Sequence, residues 1–153
     1  MDRRCFLLGT MSLAFLSRAV LADGPNLMVF KLSECGCCDA WVSHMQQAGF
    51  KPKTENLNKP ELLSLKKSVG LTPELSSCHT AFVNNYILEG HVPSGDVLLL
   101  LSQKPKALGL TVPGMPAGSP GMEMGNHRDP FDTLLILHNG NSEVFKSHRG
   151  IHI

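Results

Sequence analysis

The sequence predicts an α/β fold, because strand-like and helix-like runs alternate along it in the order β-α-β-α-β-β-α. A cysteine-rich turn, Cys35-Gly36-Cys37-Cys38, lies directly between the first strand and the first helix. Near the C-terminal end, an Asn139-Gly140 turn joins two further strand-like runs. A redox-type cysteine motif at the head of the first helix is typical of a thioredoxin-like sandwich. Here we expect that sandwich to carry a C-terminal β-hairpin addition.

The first half of the pattern contains two strands and two helices. Residues 27–32 read as a strand, and residues 39–48 have apolar side chains at helical spacing. Residues 50–57 read as a second strand, which Pro52 restricts to the edge of the sheet because proline lacks a backbone N–H. Residues 60–69 again show helical spacing and are followed by a glycine, a common helix stop.

The second half adds two hairpins and a short helix. Strand-like residues 79–83 and 86–92 flank an Asn-Asn pair, which favours a tight turn. Residues 97–101 form a continuous apolar run that we interpret as part of a short helix. Residues 133–137 and 142–145 flank the Asn-Gly turn and complete the predicted C-terminal hairpin.

The N-terminal residues have the order of a secretory signal peptide. Arg3-Arg4 precedes an apolar run over residues 5–16, and small residues at 19–22 offer a cleavage site after Ala22. A membrane span needs about 20 mostly apolar residues, and Arg18 interrupts this run too early. We therefore expect residues 1–22 to be a signal peptide, of a form similar to the twin-arginine type. The prediction is export to the periplasm, with no stable membrane span after signal removal.

The predicted mature part, residues 23–153, is long enough for one compact domain. The whole chain has 42% hydrophobic and 18% charged residues and a formal net charge of +1. This balance offers no basic surface for nucleic acid, so we set that class of partner aside. Signal cleavage removes Cys5 and leaves four cysteines, which are Cys35, Cys37, Cys38 and Cys78.

The cysteine cluster predicts redox or metal chemistry. Thiols at a helix start meet unpaired backbone N–H groups and the positive end of the helix dipole, both of which favour thiolate. Cys35 and Cys38 are spaced as a feasible CxxC disulfide pair, whereas adjacent Cys37 and Cys38 are poor partners for each other. Cys78-His79 opens the third strand run, where thioredoxin-like folds usually carry a cis-proline facing the active site. This placement would bring a fourth thiolate to the first three.

Several short motifs occur in a fixed order along the chain and resemble those of one family. They are Cys35-Gly36-Cys37-Cys38, Ser77-Cys78-His79-Thr80-Ala81, Glu89-Gly90-His91-Val92-Pro93, Val112-Pro113-Gly114-Met115-Pro116 and Gly118-Ser119-Pro120-Gly121-Met122-Glu123. Together they resemble the CopG-type family of exported copper-resistance proteins, over roughly residues 27–145. The resemblance implies a thioredoxin-like fold, a periplasmic setting and copper held by the cysteines.

The chemistry of the donor atoms agrees with copper but leaves zinc open. Soft thiolates suit Cu(I), zinc and iron–sulfur clusters, and four thiolates could build a tetrahedral zinc site. Three cysteines on one turn cannot easily surround one ion with good angles. Thiolates that bridge several Cu(I) ions relieve this constraint, so we favour a mono- or polynuclear copper–thiolate site. The spacing does not match the ferredoxin patterns, which makes an iron–sulfur cluster the third choice.

Methionine and histidine side chains are the weaker candidate ligands. The loop at 112–125 is rich in Gly and Pro and contains three methionines, whose thioethers are soft Cu(I) ligands. Methionine more often fills gaps in a core, and both interpretations stay open. The weaker candidate ligands are His79, His91, Met115, Met122 and Met124. We expect the three remaining C-terminal histidines, His138, His148 and His152, to be solvated.

Two classes of function follow from these residues. The first is a periplasmic copper-binding protein that sequesters or relays Cu(I), with redox cycling at the cysteines, in contact with other periplasmic copper-handling proteins. The second is a thiol–disulfide oxidoreductase that uses Cys35 and Cys38 and binds copper only incidentally. A zinc-stabilised or disulfide-stapled binding domain is a third interpretation. Because an oxidoreductase needs only two of the four thiols, the sequence favours a binding protein over an enzyme.

Overall fold

The computed structural model describes residues 24–151, so the predicted signal peptide at 1–22 and His152 lie outside the described residues. The described elements are β1 Asn26–Lys31, α1 Gly36–Gln47, β2 Lys51–Asn56, α2 Lys59–Ser68, a 3₁₀ helix Pro73–Leu75, β3 Thr80–Val83, β4 Tyr86–Gly90, α3 Ser94–Gln103, β5 Gly109–Val112, β6 Phe131–Ile136 and β7 Ser142–His148. No helix within residues 24–151 is long and apolar enough to cross a membrane.

The strands form one seven-stranded mixed sheet in the order β2-β1-β3-β4-β5-β6-β7. The β1–β2 and β4–β5 pairs are parallel, and the other neighbouring strands are antiparallel. The predicted α/β class and the order of the first seven regular elements are confirmed. Pro52 lies in β2 at the edge of the sheet, as expected for a residue with no backbone N–H. The thioredoxin-like assignment stays a prediction.

Strand β5 is an element that the sequence interpretation missed. Its four residues are all buried, and it pairs with β4 on one side and β6 on the other. A run this short, flanked by Pro105 and Pro113, has too few residues to show a strand period. Because β5 fills this position, the predicted β6–β7 hairpin continues the main sheet at its far edge.

The main core contains buried side chains of α1 and of the central strands. Trp41 and Met45 of α1 are fully buried, together with Val29 of β1 and Leu110 of β5. The Trp41 indole N–H donates to the Val92 carbonyl over 2.9 Å, which satisfies its one polar group. Ala48, the last residue of the predicted helix, is exposed and directly follows α1.

Helix α1 begins at Gly36, three residues earlier than the sequence pattern indicated. The Asp39 N–H donates to the Cys35 carbonyl over 3.3 Å, the i to i−4 bond of an α-helix. Gly and Cys have low helix propensity, so residues 36–38 carry no helix signal in the sequence. The predicted helix therefore began only at Asp39. The consequence is that Cys37 and Cys38 lie within the first helical turn, with Cys35 at the N-cap.

Candidate metal centre

The structure brings the four predicted cysteines together. The Sγ atoms of Cys35, Cys37, Cys38 and Cys78 all lie within 4.8 Å of one another. The reason is the antiparallel pairing of β1 with β3, which places the chain leaving β1 beside the chain entering β3. The start of α1 therefore supplies three sulfurs, and the segment before β3 supplies the fourth.

A disulfide joins Cys35 to Cys38, the pair that the CxxC spacing made feasible. Cys37 and Cys78 are free thiols, both partly buried. The Cys37 Sγ lies 3.6 Å from the Cys35 Sγ, so a free thiol stands beside the disulfide. The site thus holds two oxidised and two reduced sulfurs, and reduction of the disulfide would provide four thiols in the same volume.

Two imidazoles extend the site on the side of Cys78. The Cys78 Sγ lies 3.0 Å from the His91 Nε2 and 3.2 Å from the His79 Nδ1. The His91 Nδ1 lies 2.7 Å from the Pro120 carbonyl oxygen, which can only accept a hydrogen bond. In neutral His91 the proton is therefore on Nδ1, and Nε2 directs a lone pair towards Cys78.

His79 is a fully buried imidazole packed against Trp41, with the two ring centroids 4.4 Å apart. Burial lowers the pKa of His79 well below its usual value, and the charges of His91, Lys66 and Lys31 lower it further. Its Nε2 has no hydrogen-bond partner among the described residues. His79 is therefore a neutral donor group, and the cluster with Cys78 and His91 offers one sulfur and two nitrogens to a cation.

The free thiol of Cys78 is held in its neutral form. Burial, followed by the electrostatic effect of the nearby Cys37, raises the pKa of Cys78 to about 12. Since the thiolate is the metal ligand, a cation that binds Cys78 must displace this proton. We therefore expect metal affinity at this position to increase with pH.

The Gly- and Pro-rich loop at 112–125 lies against the site. The hydroxyl of Ser77, which precedes Cys78, donates to the Gly114 carbonyl, and Pro120 accepts the contact from His91. Gly121 has a positive φ of +87°, and a Cβ there would lie 2.8 Å from the Cys37 carbonyl oxygen and from the Trp41 nitrogen. Only glycine allows the loop to approach the first turn of α1 this closely.

The methionines of this loop differ in exposure. Met115 is 53% exposed and Met124 is 67% exposed, so the core-filling interpretation is wrong for these two side chains. Met122 is partly buried. The loop that carries all three is anchored at the cysteine site by the Ser77, His91 and Gly121 contacts.

The C-terminal histidines divide into two groups. His138 is exposed in the hairpin turn, as expected. The prediction of a solvated His148 is wrong, because its side chain is only 19% exposed and its Nε2 lies 2.8 Å from the Asp96 carboxylate. The ring also stacks on Phe131. A buried acid on another element explains this position, and no local pattern around His148 signals it.

Sequence reasoning also missed a buried ion pair beneath the Cys78 segment. Lys66 of α2 and Glu89 of β4 are both buried and form a short ion pair. A signal was present, because Glu89 interrupts a strand-like apolar run and Lys66 follows Leu62 at helical spacing on the buried face. Charged residues at such positions are rarely buried unless they are paired.

A sulfur-rich, imidazole-lined site at one end of a mixed sheet offers the donor atoms that soft-metal binding or thiol-redox chemistry needs. A family described as "Protein of unknown function, DUF411" matches residues 75–122 of this chain. A solved structure titled "Copper resistance protein copG- Form 2" is 32% identical, with a TM-score of 0.76, over 82% of this chain and 99% of that chain.

A second solved structure, titled "Copper resistance protein copG- Form 1", is 33% identical with a TM-score of 0.74 over 80% of this chain and 96% of that chain. Comparison with curated proteins gives no match. From the two structural matches, the chain belongs to the CopG-type family of copper-resistance proteins.

Proposed function

We propose that this protein handles copper, binding it as Cu(I) at the four-sulfur site and sequestering or relaying it as a contribution to copper resistance. The observation that carries this proposal is the meeting of four cysteine sulfurs within 4.8 Å at one end of the sheet. Thiolates are soft ligands, and Cu(I) is one of the metals that they suit. The family membership supports the same metal, since its two matching structures are titled copper resistance proteins.

The ligand set follows from the geometry and chemistry of the site. In the reduced protein, Cys35, Cys37, Cys38 and Cys78 supply the thiolates, and sulfurs this close can bridge more than one Cu(I) ion. His91 and His79 add neutral nitrogens beside Cys78, which limit the negative charge of the cluster. The thioethers of Met115, Met122 and Met124, on the loop that covers the site, are further soft ligands. Zinc is the alternative metal for the same four thiolates.

The Cys35–Cys38 disulfide supports redox cycling as part of this function. Its formation takes two electrons from two thiolates, which an external acceptor must receive. It also leaves Cys37, Cys78 and the two imidazoles as the remaining donors. Copper held by four thiolates would then be released or held more weakly. The same disulfide favours the second candidate function, a thiol–disulfide oxidoreductase that uses Cys35 and Cys38.

The cellular setting that we propose is the periplasm, where other copper-handling proteins would deliver or receive the ion. The basic, apolar and small residues at 1–22 support this proposal. N-terminal sequencing of the protein from fractionated cells should find a chain that starts at or near Asp23 in the periplasmic fraction. An intact Met1 on a cytosolic or membrane-integrated product would contradict it.

Replacement of Cys78 by serine separates the two candidate functions. Cys78→Ser keeps the volume but replaces a soft anionic ligand with a hard neutral one. We expect at least about a tenfold loss of Cu(I) affinity, or fewer bound ions, in anaerobic titrations against a competing Cu(I) chelator. The redox potential of the Cys35–Cys38 couple should stay nearly unchanged, because both of its sulfurs come from the start of α1.

The matched variant is Cys35→Ser, which should impair both copper binding and disulfide formation. If Cys78→Ser kept the full copper stoichiometry and affinity, the four-sulfur site would be refuted. The protein would then be assigned to the oxidoreductase class.

A further inference from the structure

We propose that the buried Glu89–Lys66 pair is a positioning device that holds Cys78 opposite the other three sulfurs. This inference rests on the proposed function, because it concerns the same site. Glu89 contacts both residues that flank the Cys78-His79 dipeptide, and Lys66 contacts one of them, Thr80.

The contacts of the Glu89 carboxylate are directed at the segment that carries Cys78. Its Oε1 accepts the Ser77 backbone N–H over 2.6 Å, and its Oε2 accepts the Thr80 hydroxyl over 2.7 Å. Lys66 donates to the Glu89 Oε1 and, over 2.9 Å, to the Thr80 hydroxyl oxygen. The carboxylate therefore binds the chain immediately before Cys78 and immediately after His79.

Ser77 connects this ion pair to the rest of the site. Its Cβ faces Gly90, and a Cβ added at Gly90 would lie only 2.6 Å from it. Gly90 also has a positive φ of +71°, so only glycine fits at this position. Its hydroxyl donates to the Gly114 carbonyl of the 112–125 loop. The Gly90 N–H in turn donates to the His79 carbonyl over 3.0 Å. The segment at 77–79 is thus attached on one side to β4 and on the other to the loop that covers the cysteines.

Stability alone does not account for the choice of a charged pair at this position. Well-packed apolar residues of similar volume often match or exceed the stability of a buried ion pair. An apolar residue at position 89, however, could not accept the Ser77 N–H. The function of Glu89 that an apolar residue cannot replace is therefore to fix the backbone before Cys78, and with it the position of the Cys78 sulfur.

Two double variants isolate this hydrogen bond. Lys66→Met with Glu89→Gln removes both charges and keeps an acceptor for the Ser77 N–H. Lys66→Met with Glu89→Leu removes both charges and the acceptor. Because each variant neutralises the pair as a whole, neither leaves an unpaired buried charge, which is the costly outcome for such a site.

A metal-free probe reports the position of Cys78 independently of copper. Phenylarsine oxide condenses with two neighbouring thiols, forming two As–S bonds and releasing one water, with no change of oxidation state. Among residues 24–151, Cys37 and Cys78 are the free thiols of the disulfide form, and their sulfurs lie within 4.8 Å of each other. One equivalent of the arsenical should therefore bind across this pair in the wild-type protein.

We expect the double variant with Glu89→Gln to bind the arsenical and Cu(I) with affinities within about threefold of wild type. The double variant with Glu89→Leu should bind both at least about tenfold more weakly. A loss of this size is typical when a residue that orients a ligand is removed. Asp96→Asn, at the other buried carboxylate, is the matched control and should leave both affinities unchanged. Equal binding by the two double variants, whether full or impaired, would overturn the positioning role.

A second measurement keeps the proposal testable if the Leu variant does not fold. In the metal-free wild-type protein, the Ser77 amide should exchange with solvent as slowly as the paired amides of β3 and β4, since Glu89 holds it. Rapid exchange at Ser77 would overturn the inference. A wild-type protein that binds the arsenical but no Cu(I) would refute the proposed copper function and leave the positioning of Cys78 standing.

Discussion

Two buried polar clusters of this protein use histidine in opposite ways. In the thiol cluster, which comprises Cys78, His79 and His91, the sulfur lies 3.0 Å and 3.2 Å from two imidazole nitrogens. In the carboxylate cluster, the Asp96 Oδ2 accepts from Thr133 over 2.6 Å and lies 2.8 Å from the His148 Nε2. The Asp96 Oδ1 faces the Lys146 ammonium at 3.1 Å, an ion pair outside hydrogen-bond geometry.

The difference between the clusters is one of charge and of free donor atoms. The thiol cluster is neutral in the metal-free protein, because burial lowers the pKa of both histidines and raises that of Cys78. Its lone pairs are thus available to a soft cation. In the carboxylate cluster, the Asp96 oxygens are already occupied by partners on β6 and β7, and the cluster joins α3 to the C-terminal hairpin. A histidine beside a thiol is therefore a candidate ligand here, and a histidine beside a paired carboxylate is structural.

The largest expected effect separates the two clusters by stability. Asp96→Ala should lower the free energy of unfolding by about 3 kcal/mol, the lower end of the range for a broken buried ion pair, because Lys146 is half exposed. Cu(I) affinity and stoichiometry per folded molecule should stay unchanged. Urea unfolding and anaerobic copper titration measure the two quantities. A loss of copper binding in the folded variant would show that the clusters are coupled.

The next effect compares two glycines of the Gly- and Pro-rich loop at 112–125. Gly121 and Gly125 both have positive φ, but only at Gly121 would a Cβ meet backbone atoms of α1. Gly125→Ala should therefore cost about 1 kcal/mol from backbone strain alone. Gly121→Ala should cost about 2 kcal/mol or more and also weaken Cu(I) binding, because the loop must move away from Cys37. Equal copper affinities in the two variants would show that the loop is not part of the site.

The pH dependence of stability reports the buried imidazole of the thiol cluster. The folded state lowers the pKa of His79 well below its unfolded value of about 6.5. The stability that neutral His79 contributes is therefore fully present above about pH 6.5 and is lost as the pH falls, because the unfolded state then binds a proton that the folded state does not. One such histidine makes the free energy of unfolding fall by up to about 1.4 kcal/mol per pH unit below pH 6.5.

The control for this measurement is the exposed His138 of the hairpin turn. Urea unfolding of the metal-free protein between pH 7 and pH 5 should show a shallower slope for His79→Leu than for wild type. His138→Asn should keep the wild-type slope. An unchanged slope in His79→Leu would mean that His79 is not held neutral by the fold.

The smallest expected effect lies at the start of α2, which contributes no residue to either cluster. Asn58 and Glu61 form a reciprocal capping box there, with bonds of 2.9 and 3.0 Å. Asn58→Ala should lower the free energy of unfolding by about 1 kcal/mol. Copper affinity should not change. The variant is therefore a control for the effect that a general loss of stability has on copper binding. A copper defect here would weaken the specific interpretation of the Gly121 result.

Much of the fold was predictable because its signals are local. Helical and strand periods, the Asn-Gly turn and Pro52 at the edge strand each depend on only a few neighbouring residues. The elements that they predict are present in the structure, although α1 begins three residues earlier than its pattern indicates. The cysteine site was predictable for a related reason. Antiparallel strands β1 and β3 carry Cys35 and Cys78 to the same end of the sheet once the order of elements is known.

The sequence by itself thus determined the α/β class and the order of the first seven regular elements, and it predicted that Cys78 meets the other three cysteines. Only the tertiary structure decided which histidines flank a thiol and which one binds a carboxylate. The reason is that these pairings join distant residues: Lys66 and Glu89 are 23 positions apart, and Asp96 and His148 are 52 apart. A buried charge or imidazole takes its role from the partner that the fold brings to it, and no local period carries that information.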